Sequence, residues 1–166
     1  MVNVELFNDF DAVARDDPGG RLGRDGQPSL FARLDWFRLV AAYCPVRGQP
    51  LVLRGRAGNR TGWLFLANDH PHVEGLASWY SLRFDAVGSR DEDVLTALAA
   101  ALRDGGVAEV ELAPIEDPEP LRHAFRQAGW SVFVMPKTAS WRIDTEGLDF
   151  DAYWAARPGR LRNTAK

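Results

Sequence analysis

The chain has 166 residues, of which 46% are hydrophobic and 26% charged, as expected for one ordinary globular domain. Its net charge is −3, but residues 157–166 hold four basic side chains and no acid, which leaves −7 on residues 1–156. An acidic body repels the phosphate backbone, which argues against nucleic-acid binding.

The single cysteine and the composition of the N-terminal residues bear on the cellular compartment. The lone Cys44 excludes an internal disulfide, and we expect it to be a small buried hydrophobe. Residues 1–11 carry acids and no basic run, unlike a signal peptide, and no apolar stretch reaches the length of a membrane span. The expectation is therefore a cytoplasmic protein without a membrane span.

The first quarter of the chain predicts one strand and one long helix. A short strand is expected over 3–7 and a helical turn over 10–14. Residues 16–28, rich in glycine and charge, are typical of a flexible loop. Ser29 should cap a helix over 30–43, where apolar residues recur at helical spacing on more than one face.

The middle of the chain predicts paired strands. Apolar runs at 51–57 and 61–67 flank Gly58-Asn59, a pair that accepts positive φ at little cost, and this indicates a hairpin. A further strand is expected over 76–87.

Helices and strands then alternate. Ser89 and Glu92 form a possible capping box for a helix over 89–103, which should end at Gly105. A strand over 107–113 follows.

The remaining elements complete an alternating order. Asp117 should cap a helix running to Ala128, and strands are expected over 130–135 and 140–144, before a last helix capped by Asp149. This order predicts an α/β (α+β) fold, with a mixed central sheet of six or seven strands and helices on both faces. The strands around Leu82 and Val107 should be neighbours in that sheet.

Residues 82–133 carry a family resemblance. The order strand, loop, helix ending in Gly-Gly, strand, helix and Gly-Trp, including the segment AFRQAGW, resembles the second half of the GNAT acyltransferase fold. The early aromatic helix SLFARLDWFRLVAAYC and the segment FDAYWAARPGRLRNTAK make the whole chain similar to the N-terminal half of the CelD/BcsL-like double-GNAT proteins, and distantly to Fem-type aminoacyltransferases.

The resemblance implies a domain organisation. Residues 1–147 would be a GNAT-like domain, and 148–166 a basic helical connector. Because the sequence ends inside this basic, helix-capable segment, we expect a second GNAT-like domain beyond Lys166.

The resemblance also locates a cofactor loop, from which this chain departs. GNAT enzymes bind the acyl-CoA pyrophosphate at a glycine-rich helix start. The corresponding residues are Gly88, Ser89, Arg90 and Asp91, with a single glycine and with carboxylates in the first helical turn. We therefore expect this chain to bind no cofactor by itself. The near match RQAGWS at 126–131 ends a helix and so presents carbonyls to a ligand.

Substrate-binding candidates follow from position. Trp79, Tyr80, Ser81 and Arg83 lie on the predicted strand beside the cofactor loop, where alternation would put Trp79, Ser81 and Arg83 on one face. These residues either line a substrate site, with Arg83 meeting an anionic group, or form an aromatic core strand.

Two further groups leave alternatives open. Arg157, Arg160 and Arg162 either grip a polyanion or belong to a solvated connector. His70 and His72 are either metal ligands or part of a solvated loop, and we predict no metal site because no other cluster supplies the remaining ligands.

The function implied by the resemblance is N-acyl transfer from an acyl-CoA to a small-molecule or amine acceptor, with this chain as the substrate-side half. No catalytic base can be named from the sequence. The alternative is a non-catalytic GNAT-like binding or interaction module that kept the fold and lost the cofactor.

Overall fold

A computed structural model describes residues 1–136, 147 and 149–160. The chain divides into two compact units, Met1–Val134 and Met135–Lys166, and every strand of the described ranges lies in the first. None of the helices in these ranges is long and apolar enough to cross a membrane.

The first unit opens with β1 (Asn3–Phe7) and α1 (Phe10–Asp16), followed by a 3₁₀ turn (Leu30–Ala32) and α2 (Leu34–Tyr43). The strand over 3–7 and the helical turn after it are confirmed. Asp9 starts α1 by accepting a 2.7 Å hydrogen bond from the Ala12 N–H.

The prediction of one continuous helix from Leu30 is wrong. Arg33 is extended, with φ −90° and ψ 144°, and Ser29 makes no capping bond through its side chain. Non-local contacts explain the break: the Leu34 N–H donates to the Leu22 carbonyl at 2.9 Å, and Arg33 Nε donates to the Gln27 carbonyl at 2.8 Å. These bonds attach the preceding loop to the start of α2 and override helical propensity.

The predicted hairpin is confirmed as β2 (Gln49–Ala57) and β3 (Arg60–Asp69), paired antiparallel around Gly58-Asn59. Gly58 has φ +61°, and positive φ at the first turn position alone is the pattern of a type II′ turn.

The second half of the first unit is built from short strands and two helices. In chain order these are β4 (His72–Gly75), β5 (Val87–Gly88), α3 (Glu92–Asp104), β6 (Glu109–Glu111) and α4 (Glu119–Gln127). The expected strand over 107–113 is thus three residues long, and Pro118 rather than Asp117 precedes α4 as its cap residue.

The sheet has six strands in the order β1-β2-β3-β4-β6, and β5 pairs with β3. All pairs are antiparallel except β4 with β6, which are parallel and linked through α3. The prediction that the strands around Leu82 and Val107 are neighbours is wrong, because Leu82 lies outside any strand and the neighbour of β6 is β4.

Helices cover both faces of the β2–β3 hairpin, which confirms the α/β class with a mixed sheet. On one face, α3 lies against Gly55 and Gly62, where an added Cβ would come within 3.0 and 2.9 Å of Val94. On the other, the ring of Phe37 in α2 stacks on Phe65 with centroids 4.0 Å apart.

The predicted strand over 130–135 is wrong, since these residues form neither strand nor helix. Trp130 instead packs on Phe125 at 5.7 Å, and its indole Nε1 donates to the Ala99 carbonyl at 2.9 Å. The strand predicted over 140–144 lies outside the described residues.

In the second unit, α5 (Phe150–Ala155) begins as predicted. Asp149 accepts a 2.7 Å hydrogen bond from the Ala152 N–H.

Candidate functional site

The stretch predicted as strand 76–87 is an extended loop that reaches β5 only at Val87. Its ends are fixed by backbone hydrogen bonds, from the Leu76 N–H to the Phe65 carbonyl at 3.0 Å and from the Phe84 N–H to the Pro114 carbonyl at 2.6 Å. Between them the Ser78 N–H donates to Ser81 Oγ at 3.0 Å, and this local bonding competes with a strand ladder.

The sequence-predicted substrate residues do not share one face. Trp79 is 98% exposed and Tyr80 76%, whereas Ser81 is buried and its hydroxyl serves the turn. Arg83 lies 3.9 Å from a carboxylate oxygen of Glu116. Ser81 therefore has a structural role in the loop, while substrate contact by Trp79, Tyr80 and Arg83 stays a prediction.

The start of α3 is closed by its own backbone. Gly88 has φ +84°, and a Cβ there would meet the Thr61 carbonyl oxygen at 2.5 Å. The Ser89 N–H donates to that same carbonyl at 2.8 Å, and the Asp91 N–H donates to Ser89 Oγ at 3.3 Å. Two amides that immediately precede α3 thus donate within the chain.

The expected capping box does not form. Asp91 is the N-cap of α3 without a capping bond from its side chain, and the Ser89 hydroxyl contacts the Asp91 carboxylate instead of an amide of the first turn. The guanidinium of Arg90 lies 3.2 Å from the Asp85 carboxylate and donates a hydrogen bond to the Asp117 carbonyl.

The three carboxylates of this turn all have cationic or histidine partners. Arg60 donates to both oxygens of Asp93 at 2.7 Å and lies 3.4 Å from Asp91. Glu92 lies 2.9 Å from His123 Nε2. The hydrogen bond from Arg60 holds the pKa of Asp93 below its usual value, and the same pair raises the pKa of Arg60.

Asp85 behaves differently from these surface acids. Burial raises the pKa of its carboxyl above the usual range, opposed by the nearby charge of Arg90 and by the Ala86 N–H that donates to it at 2.8 Å. It lies at the end of the exposed loop, where a half-buried carboxyl could accept a proton.

A cationic recess, not anticipated from the sequence, lies between the end of α1 and the β2–β3 turn. It has a volume of about 560 Å³, and we call it the arginine recess. Its lining includes Arg15, Asp16, Arg21, Arg56, Asn59 and Thr61. The available signal was the predicted hairpin, which fixes Arg56 opposite Thr61 beside the turn.

The two predicted metal-ligand candidates lie in different elements, since His70 is in the turn that precedes β4 and His72 is in the strand. His72 opens β4, and its Nδ1 lies 2.9 Å from Glu109 on β6, beside a cleft of about 270 Å³ that also includes Arg47 and Glu74. In the described ranges, no group of three or more His, Cys, Asp or Glu residues could hold a metal ion.

Of the basic segment, the described part belongs to the second unit. The guanidinium of Arg157 lies 4.3 Å from the ring centre of Tyr153, and its Nε donates to the Tyr153 carbonyl at 3.3 Å. Arg160 is described, and Arg162 lies outside the described residues.

Comparison of the sequence with protein-family models finds no match, and comparisons with curated proteins and with solved structures find none either.

Proposed function

We propose that this chain is the substrate-side, GNAT-like half of an N-acyltransferase, and that the start of α3 does not bind acyl-CoA. The acyl-transfer part of the proposal rests on the sequence resemblance. It is supported by the order of the second half, in which the parallel strands β4 and β6 are linked through α3 and followed by α4. The acceptor would be a small molecule or an amine, in the cytoplasm, and a second GNAT-like domain would supply the acyl-CoA site.

One observation supports the claim about the cofactor: the start of α3 carries three consecutive carboxylates. Asp91, Glu92 and Asp93 lie at the helix start that the resemblance assigns to the pyrophosphate, and the Ser89 and Asp91 amides just before it donate inside the chain. Each acid at a helix start offsets the favourable field for an anion by about 0.3–1 kcal/mol. A diphosphate could form an ion pair with Arg60 only by displacing this side chain from Asp93.

The exposed loop supports a role in recognising the acceptor or a partner. Trp79 and Tyr80 are large rings held in water on a loop fixed at both ends. Aromatic side chains of this kind are enriched where proteins bind others. Burial raises the pKa of Asp85 at the end of the loop, which is the direction of change that favours a general base.

Calorimetric titration of acetyl-CoA into the chain tests the proposal. We expect either no saturable heat or a binding event that Ser89→Glu leaves unchanged, because Ser89 lies at the closed helix start. A micromolar dissociation constant that Ser89→Glu weakens tenfold or more would contradict the proposal and place the cofactor at α3. Arg126→Ala, which removes a charge from an exposed position on α4, serves as the control for a general charge effect.

A further inference from the structure

The arginine recess lies on the opposite face of the β2–β3 hairpin from the start of α3. Because side chains alternate along a strand, Arg56 and Thr61, which are directly paired, point to the side of α1, whereas Arg60 and Gly62 point to α3. A ligand in the recess is therefore separated by the sheet from the carboxylates of α3.

The charge of the recess is mainly positive. Arg15, Arg21 and Arg56 line it, and Asp16 is the one acid among its lining residues. The Asp16 carboxylate is already engaged, since it contacts the buried guanidinium of Arg54 and lies 3.8 Å from Arg56. An excess of guanidinium on a body with net charge −7 favours an anionic ligand.

Two of the guanidiniums are positioned before any ligand arrives. Arg21 Nε lies 3.4 Å from the buried carboxylate of Asp17, which also accepts the Leu22 N–H at 2.8 Å, and Arg21 Nη1 lies 3.5 Å from Thr61 Oγ1. The backbone of Arg56 is fixed by its place in β2, and its guanidinium lies 3.8 Å from the Asp16 carboxylate. Side chains held in advance lose less entropy when they bind, which favours affinity.

Arg15 supplies free donors. It is exposed in the last turn of α1, and within the described part of the chain it forms neither an ion pair nor a side-chain hydrogen bond. Its planar fork can therefore pair with two oxygens of one ligand.

We propose that the arginine recess binds a small phosphate-bearing molecule, with Arg15, Arg21 and Arg56 on the phosphate oxygens and with Asn59 and Thr61 as neutral partners. Three guanidiniums around one opening suit a di- or trianion better than a single carboxylate. A volume of about 560 Å³ leaves room for an organic group beside the phosphate. This inference does not depend on the acyltransferase proposal.

Calorimetric titration of inorganic pyrophosphate into the full chain at low ionic strength is the test, because screening is then weakest. We expect saturable binding that Arg15→Ala and Arg56→Ala each weaken roughly tenfold, the size of one lost charge-assisted hydrogen bond. Arg15→Lys should retain part of the affinity, since it keeps the charge and loses the fork. Arg126→Ala removes the same charge elsewhere and should change nothing.

Three results would overturn the assignment. These are the absence of saturable heat at millimolar pyrophosphate, an equal loss in Arg126→Ala, and binding of citrate as tight as that of pyrophosphate, which would make the site one for carboxylates. Unfolding followed by circular dichroism establishes that the variants fold, and Arg15→Ala removes no ion pair or side-chain hydrogen bond of the described residues. Acetyl-CoA binding lost in Arg15→Ala but kept in Ser89→Glu would support the recess and leave the acyltransferase proposal standing.

Discussion

The ring of Phe37 is the clearest single contact between α2 and the sheet. It is 1% exposed and stacks on Phe65, with the two ring planes 5° apart. The burial of residue 36 or 37 follows from a helix that is apolar over more than one face, and it is confirmed for Phe37. The partner ring, 28 positions away, could not be named from the sequence.

Phe37→Ala should destabilise the fold by about 3–5 kcal/mol, because it removes an enclosed ring and leaves a cavity against the sheet. Leu39→Ala is the matched control in the same helix, since Leu39 is 51% exposed. Urea unfolding of both variants measures the difference. A loss for Phe37→Ala below about 1 kcal/mol would show that the ring is not enclosed.

Asp85 and Asp93 should give opposite pH dependences of stability. The pKa of Asp93 is lowered by Arg60, so its contribution is present above its ordinary pKa of about 3.9 and is lost as pH falls through the lower folded value. Burial raises the pKa of Asp85, so stability is highest below the ordinary pKa and falls as pH rises through the raised value.

Melting temperatures of the two asparagine variants at pH 3 and pH 7 test this contrast. Asp93→Asn should lower the melting temperature more at pH 7 than at pH 3. The melting temperature of Asp85→Asn minus that of the wild type should be larger at pH 7 than at pH 3. Parallel changes in the two variants would contradict the assigned causes.

At the scale of elements, β5 and the start of α3 depend on one glycine. Gly88 pairs with Gly62 of β3, and its positive φ lets the chain pass the Thr61 carbonyl before α3 begins. The sequence suggested Gly88 as the remnant of a phosphate loop, whereas in the structure the residue serves strand pairing.

Gly88→Ala should cost about 1–3 kcal/mol more than Gly58→Ala, measured by chemical unfolding. Both glycines have positive φ, which an alanine adopts at a cost of about 1–2 kcal/mol. Only at Gly88 would the new Cβ meet a backbone oxygen, whereas at Gly58 nothing lies within 4 Å. Equal losses would mean that the contact with Thr61 relaxes freely.

Elements with local chemical signals were predictable. The hairpin follows from Gly58-Asn59 between two apolar runs, and α5 follows from the cap at Asp149. The helix from Leu30 was predicted too long because its break at Arg33 depends on the non-local bond between Leu34 and Leu22. Helix propensity describes each residue by itself and does not take such a contact into account.

The strand predicted over 76–87 is wrong for a different reason, because here a local hydrogen bond replaces the predicted strand pairing. Its aromatic residues favour a strand by propensity. The bond between Ser78 and Ser81 forms a turn instead, and it places Ser81 inside and Trp79 outside. A two-residue periodicity therefore predicted the wrong faces.

The candidate sites were only partly predictable, because some of their residues are adjacent in sequence and others are brought together by packing. The acids at the start of α3 are adjacent in sequence, but Arg60 and His123, which contact them, lie about 30 residues away on either side. The arginine recess is assembled from α1, the loop after it and the hairpin, so it becomes visible only once these segments are packed.

At the scale of the whole molecule, charge is divided between two faces of one hairpin. The α3 side presents carboxylates that are held by Arg60 and His123, and the α1 side presents three guanidiniums around an open recess. We therefore expect an anion to bind at the recess rather than at the start of α3.

The most direct measurement is an amide chemical-shift map of the ¹⁵N-labelled chain, titrated first with pyrophosphate and then with acetyl-CoA. The amides of Ser89, Arg90 and Glu92 should stay in place with either ligand. Any saturable shifts should fall on the recess, with Arg15, Arg21 and Asn59 as reporters. Saturable shifts at 89–92 that leave the recess unchanged would contradict the account, because the acidic helix start would then be the phosphate site.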